Sequence, residues 1–147
     1  MTVISTGSAL DGTATRYLLI AWVLALGSSL AVLFIGEVLG QMPCTLCWYQ
    51  RAFMFPLAIV LGVAVWREDT KVWVYALPLA AGGVLIAGYH MALYVGLVPA
   101  PITPCSDTGP SCTDDGMLFL GLPIPMMALG AFAAIGFFLL PLRRIAT

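Results

Sequence analysis

The sequence predicts an all-α membrane protein: a bundle of four transmembrane helices with two extracytoplasmic loops that carry the cysteines. Three observations predict it. Of the 147 residues, 61% are hydrophobic and only 9% are charged, the apolar residues form four long runs, and the basic residues gather at one side of those runs. A water-soluble domain has about half apolar and a quarter charged residues. The net charge of -1 excludes a basic nucleic-acid-binding protein.

Each of the four runs is long enough for a bilayer-spanning helix, which needs about 20 apolar residues. The runs cover residues 17–35, 48–66, 72–95 and 121–142. Irregular backbone cannot face lipid, so each run is predicted to be helical, within one domain over residues 1–147. The first run exceeds the core of about 7–15 residues of a cleaved signal peptide, so we expect a retained span.

The basic residues predict the orientation of the chain. Five of the six lie before the first run, between the second and third, or after the fourth; they are Arg16, Arg67, Lys71, Arg143 and Arg144. Short loops rich in lysine and arginine stay in the cytoplasm. Both termini are therefore expected to be cytoplasmic, and all four cysteines are expected on the outer side.

The cysteines form two local pairs, one in each outer connection. Cys44 and Cys47 form a Cys-x-x-Cys motif before the second run, and Cys105 and Cys112 lie in the third connection. Four cysteines allow three pairings, and spacing favours these two. A disulfide that closes a very short loop restrains little unfolded-chain entropy. A redox role is therefore favoured for both pairs, and structural stapling remains the alternative.

Zinc binding by the four cysteines together is a further alternative. The second pair has six intervening residues, the two pairs lie on different loops, and the outer compartment is oxidising. We therefore expect no metal.

Cys47 is expected to be the reactive sulfur of the first pair. If the second helix begins near residues 46–48, the sulfur lies at a helix N-terminus, with Arg51 four residues further on the same face. Both features favour the thiolate, which is the nucleophile. The alternative for Arg51 is interfacial anchoring, because a long basic side chain can reach the headgroups. Glu37, expected at the interface, could pair with it.

His90 is expected at a similar depth to Arg51, about 8–12 Å below the outer surface. Ionisable groups inside membrane helices are often functional. A quinone would suit both residues, because its carbonyl oxygens need hydrogen-bond donors as they gain charge on reduction. The alternative for His90 is an interhelical hydrogen bond.

Three stretches of the chain form a specific set: PCTLCWYQRAFMFP, AGYH, and a later cysteine pair followed by FLGLPIPMMALG. Together they resemble the disulfide bond formation protein B (DsbB) family, and especially its short-loop, BdbC-like branch. The resemblance covers nearly the whole chain. It implies a four-helix bundle in the bacterial inner membrane that reoxidises a DsbA-like, thioredoxin-fold partner and passes the electrons to ubiquinone or menaquinone.

The resemblance also implies roles for individual residues. Cys105, with Cys112 as its mate, would exchange with the partner's cysteine; Cys44 and Cys47 would then take the electrons, with Cys47 facing the quinone. Arg51 and His90 would bind the quinone. Long members of the family have a longer stretch between the second pair, whereas six residues intervene here. The order of exchanges is therefore open. Two alternative functions also stay open: a non-enzymatic, disulfide-stapled membrane scaffold, and a vitamin K epoxide reductase-like redox protein.

Overall fold

A computed structural model describes residues 5–99 and 118–145 of the chain. These ranges contain four long helices, and a π-helical turn, Phe34–Val38, directly extends the first of them. The four are α1 (Ser5–Leu33), α2 (Thr45–Arg67), α3 (Trp73–Tyr94) and α4 (Ile124–Ile145). Each is long and apolar enough to cross a membrane, which confirms the predicted fold class.

The helices pack as a closed ring, in which each helix contacts the next along the chain and α4 returns to α1. The end of α4 lies against the start of α3, where the guanidinium of Arg143 lies 5.9 Å from the ring centre of Trp73. A ring with these contacts places the beginning of α2 and the end of α3 together at the opposite end. That end carries the first cysteine pair.

The connection between α2 and α3 is short and well capped. Glu68 ends α2 in a left-handed conformation, with φ of 53°. The Asp69 carboxylate then accepts a hydrogen bond from the Lys71 backbone N–H at 2.9 Å, within a single 3₁₀ turn, Thr70–Val72. An Asp side chain that accepts from the backbone two residues on is a common turn device. It lets two transmembrane helices follow each other with few exposed backbone groups.

A small hairpin precedes α4, so this helix begins at Ile124 and not at residue 121. Strands β1 (Leu118–Phe119) and β2 (Leu122–Pro123) pair antiparallel across a two-residue turn. Both turn residues, Leu120 and Gly121, have positive φ angles of 52° and 81°. A two-residue hairpin turn requires this backbone, which excludes the α-helical conformation at these positions.

Gly83 lets α3 and α4 pack closely together. Phe132 of α4 is fully buried, and a β-carbon built on Gly83 of α3 would lie 2.2 Å from its ring. Small residues at membrane-helix interfaces let neighbours pack tightly, and van der Waals contact is the main force between such helices. The Phe132 ring therefore occupies the space that a side chain at position 83 would need.

We expect Gly83→Ala to lower the free energy of unfolding by about 1–3 kcal/mol, the usual cost of overpacking. Gly88→Ala is the matched control, because a β-carbon on Gly88 of the same helix meets nothing within 4 Å. Alanine favours helix over glycine at both positions, so only the contact with Phe132 separates the two variants. Thermal unfolding followed by circular dichroism in detergent measures the difference, and equal midpoints would contradict this packing.

A candidate redox site at the start of α2

Cys44 is the N-cap of α2. Its φ and ψ angles of −72° and 170° are extended, and its sulfur accepts a hydrogen bond from the Cys47 backbone N–H at 3.3 Å. The first N–H groups of a helix have no partner within the helix, so a side-chain acceptor at the N-cap stabilises its start. The helix therefore begins at Thr45, slightly earlier than expected, and Cys47 lies in its first turn.

The two thiols of the motif are unequal. The Cys44 sulfur donates to the Cys47 sulfur over 3.0 Å. Hydrogen bonding to Cys47, followed by burial, raises the pKa of Cys44 to about 12. Cys44 is only 2% exposed, whereas Cys47 is partly exposed. Cys44 therefore holds its proton at neutral pH, and Cys47 is the accessible sulfur that receives a hydrogen bond, as a nucleophile requires.

His90 reaches this dithiol from α3. Its ring is fully buried, its Nε2 lies 3.8 Å from the Cys44 sulfur, and its Nδ1 lies 3.1 Å from Nε2 of Gln50. An amide nitrogen only donates, so in this arrangement Nδ1 accepts and the ring proton resides on Nε2, facing the sulfur. His90 thus makes the interhelical hydrogen bond of the alternative interpretation and also faces the redox pair.

Gln50 is the residue of this site to which the sequence analysis gave no role. It lies one turn after Cys47 on α2, is 6% exposed, and orients His90. The available signal was a polar amide near the start of an apolar helix, between Cys47 and Arg51 in sequence. Polar side chains in membrane helices face the bundle interior and bond across it.

Arg51 lies in the seam between α1 and α2. Its guanidinium donates to the Val32 carbonyl at 3.3 Å and lies 5.2 Å from the ring centre of Trp48. A β-carbon on Gly36 would stand 2.9 Å from Nη2 of Arg51, so the glycine leaves room for the guanidinium. Glu37 is exposed, and the arginine bonds to the α1 backbone instead of to that carboxylate.

The structure thus brings Cys44, Cys47 and His90 into contact and places Arg51 one turn further along α2. Cys105 and Cys112, which the resemblance assigns to partner exchange, lie outside the described residues. Within the described part of the chain, a dithiol with one buried and one partly exposed sulfur lies beside a histidine at the start of a membrane helix, and this arrangement is redox-capable.

Comparison with known proteins supports this interpretation. The sequence profile of the family described as "Disulfide bond formation protein DsbB" matches residues 14–142. The chain belongs to the DsbB family. This match confirms the resemblance noted from the cysteine, arginine and histidine motifs. As a member of the DsbB family, the chain is a membrane protein that takes part in disulfide bond formation.

Three curated relatives illustrate the match. A "Probable disulfide formation protein" of Metapseudomonas resinovorans is 52% identical over 138 residues, covering 93% of this chain and 96% of the relative. "Disulfide bond formation protein C" of Bacillus subtilis is 37% identical, covering 86% of this chain and 92% of that one. A "Probable disulfide formation protein" of Coxiella burnetii is 36% identical, covering 82% of each chain. No solved structure gives a significant match.

Proposed function

We propose that this DsbB-family chain is a quinone-coupled thiol oxidase of the bacterial inner membrane. It would reoxidise a DsbA-like, thioredoxin-fold partner on the periplasmic side, with both termini in the cytoplasm. The observation that carries the proposal is the Cys44–Cys47 dithiol at the start of α2, which is joined to His90 and has Arg51 one turn further on. Such a layout supports exchange with outer-side thiols and electron transfer to a lipid-soluble carrier.

Two thiol–disulfide exchanges move the electrons through the protein. In the first, the partner's two thiols become a disulfide while the Cys105–Cys112 disulfide becomes two thiols. In the second, those two thiols re-form their disulfide and the Cys44–Cys47 disulfide is reduced. Each exchange moves two electrons and two protons by thiolate attack on a disulfide sulfur, through a mixed disulfide.

The contacts of Cys44 and His90 favour proton handling at the dithiol. Cys44 keeps its proton through its hydrogen bond to Cys47, while His90 Nε2 lies 3.8 Å from the same sulfur. The Cys44 proton must leave when the two sulfurs join again. A half-turn of the Gln50 amide would turn its carbonyl oxygen to Nδ1 and place the ring proton there, and the lone pair of His90 Nε2 would then accept the Cys44 proton.

The residues around Arg51 fit a quinone headgroup. A flat ring with two carbonyl acceptors needs hydrogen-bond donors beside an apolar surface. A guanidinium has five N–H donors, and the one given to Val32 leaves others for a ligand. Arg51 would hold the ring, and ubiquinone or menaquinone would supply a two-electron acceptor there. His90, which was also expected to bind the quinone, directs its ring nitrogens to Gln50 and the Cys44 sulfur, so it would act at the dithiol.

Energetics explain why such an acceptor is needed. Strongly oxidising thioredoxin-fold proteins have potentials of about −120 mV, whereas ordinary exchange pairs have potentials of about −180 to −230 mV. Oxidising such a partner with a pair about 100 mV lower is uphill by about 4.6 kcal/mol. A further, strongly favourable electron transfer must therefore follow the two exchanges.

The proposal is tested with purified protein, a reduced thioredoxin-fold partner and a short-chain quinone. Loss of quinone absorbance in step with disulfide formation in the partner, at one quinone per disulfide, is the expected result. No quinone reduction under these conditions would overturn the proposal. Thiol trapping in cells whose quinone synthesis is blocked distinguishes the oxidase from the stapled scaffold. Accumulation of reduced thiols would support electron transfer through the cysteines, whereas cysteines that stay paired would support structural disulfides.

Arg51→Ala is expected to raise the apparent KM for quinone about tenfold or more, because hydrogen bonds from a charged donor contribute about 1.5–3 kcal/mol. Gly36→Ala should produce a smaller rise, since its methyl group would push against the Arg51 guanidinium. Arg67→Ala is the matched control, an exposed arginine at the far end of α2. An unchanged KM in Arg51→Ala would return this arginine to an anchoring role.

A further inference from the structure

The dithiol and His90 together form a cluster of three metal-ligating atoms. The two sulfurs of Cys44 and Cys47 and one ring nitrogen of His90 all lie within 4.8 Å of one another. Two of the three residues, Cys44 and His90, are buried. The donors come from the start of α2 and the end of α3, so two packed helices fix their spacing.

We propose that the reduced Cys44–Cys47 dithiol and His90 bind one thiophilic d¹⁰ cation, of the class of Zn²⁺ and Cd²⁺. Tetrahedral zinc takes sulfur at about 2.3 Å and imidazole nitrogen at about 2.0–2.1 Å. Two sulfurs at that distance from one ion lie about 3.8 Å apart, so the pair seen at 3.0 Å must open by about 0.8 Å. The Nε2 of His90, 3.8 Å from the Cys44 sulfur, already has a ligand's separation.

Gln50 serves this site as the partner of the non-ligating ring nitrogen. A metal-bound histidine needs the lone pair of Nε2 and therefore carries its proton on Nδ1, which is normally donated to an oxygen acceptor. The Gln50 amide lies 3.1 Å from Nδ1, and a half-turn about its last bond replaces the amide nitrogen with the carbonyl oxygen. The same glutamine thus supports His90 with or without a metal.

Binding at this site depends on the redox state of the cysteines. The ligands are thiolates, so the ion displaces two thiol protons when it binds, and no electrons move. A Cys44–Cys47 disulfide has no thiolate to offer and releases the ion. Three protein ligands leave a fourth position on the partly exposed side of Cys47. An ion bound there would hold the dithiol reduced and stop exchange.

This site differs from the four-cysteine zinc site considered from the sequence. It needs neither Cys105 nor Cys112, and it recruits His90, which lies 43 residues from Cys47 in the chain and was not considered as a ligand. It also requires neither a quinone nor a protein partner. Its success or failure is therefore separate from that of the proposed oxidase activity.

The test uses the full chain in detergent with Cys105→Ser and Cys112→Ser, which leaves only the first pair. The reduced protein, freed of reductant, is titrated with Cd²⁺, and sulfur-to-cadmium absorption and native mass spectrometry report binding. We expect one ion per reduced chain and none per disulfide-bonded chain. Gln50→Leu should weaken binding about 10–100-fold, the usual effect of losing the group behind a ligand, and His90→Phe should weaken it more.

Tyr89→Phe, an exposed neighbour of His90 on α3, is the control and should bind like the parent protein. His90→Gln is measured beside His90→Phe, so that a folding defect in the apolar variant, seen by circular dichroism, does not decide the result. Affinity that is unchanged in every folded His90 variant would mean that the two thiols alone chelate the ion. That result, binding to the disulfide form, or no binding at all would overturn the proposal.

Discussion

Cys44→Ser is expected to abolish quinone-linked thiol oxidation while leaving the bundle folded. The sulfur of Cys44 caps α2 and is also half of the redox pair. A serine hydroxyl is among the best N-cap acceptors, so the first turn of α2 keeps its hydrogen bond. Serine cannot form a disulfide, so turnover should fall on the order of 10³-fold or more, as when a nucleophile is removed. The two measurements are the rate of quinone reduction, which should fall, and the melting temperature, which should be unchanged.

Cys44→Ala separates the two roles of this residue. Alanine removes both the sulfur and the cap, and loss of a cap costs about 0.5–2 kcal/mol. The alanine variant should therefore melt lower than the serine variant, with both inactive. Cys47→Ser and, on the strength of the family resemblance, Cys105→Ser should be equally inactive. Substantial turnover in Cys44→Ser or Cys47→Ser would remove the dithiol from the electron path.

His90→Leu is expected to impair both stability and turnover. The imidazole is fully buried and is hydrogen-bonded to the Gln50 amide. Leaving one buried polar partner unsatisfied costs about 1–3 kcal/mol of unfolding free energy. Loss of the group beside the Cys44 sulfur should lower kcat by about 10²-fold, at the low end for a positioned acid or base.

A double-mutant cycle distinguishes the two effects of His90. Gln50→Leu combined with His90→Leu removes both partners of the hydrogen bond, so the double variant should be less destabilised than the sum of the single variants. Stability would then recover in part while turnover stays low. Additive losses of stability would contradict the Gln50–His90 bond, and full turnover in His90→Leu would leave this histidine a purely structural role.

Most of the fold could be predicted from hydropathy and charge, because spanning a bilayer constrains both strongly. Four apolar runs identify four helices, and short connections make neighbours antiparallel. The ends of the helices were less predictable. The earlier start of α2 depends on a sulfur acting as N-cap, and the later start of α4 depends on a tight hairpin with two positive φ angles. Both are local backbone choices that hydropathy does not encode.

The candidate site was predictable where the chemistry lies close in sequence. Cys44, Cys47 and Arg51 share one short motif, and a single histidine in a membrane helix is by itself a candidate functional residue. The role of Gln50 was not predictable, because it depends on which residue of α3 faces it across the bundle. The Val32 carbonyl partner of Arg51 was also hidden, since a backbone group carries no sequence signal and the π-helical turn beyond it alters the local register of α1.

The arrangement of the dithiol on α2 and of His90 on α3 has a mechanical consequence. These two helices are connected at one end of the bundle by a short turn and at the other by the contacts among cysteine, histidine and glutamine. Contacts at both ends of α2 and α3 therefore hold the two sulfurs in place, and the sulfurs have little freedom to move outward. An incoming sulfur must make the approach, and the speed of disulfide transfer should follow the length and flexibility of the segment that delivers it.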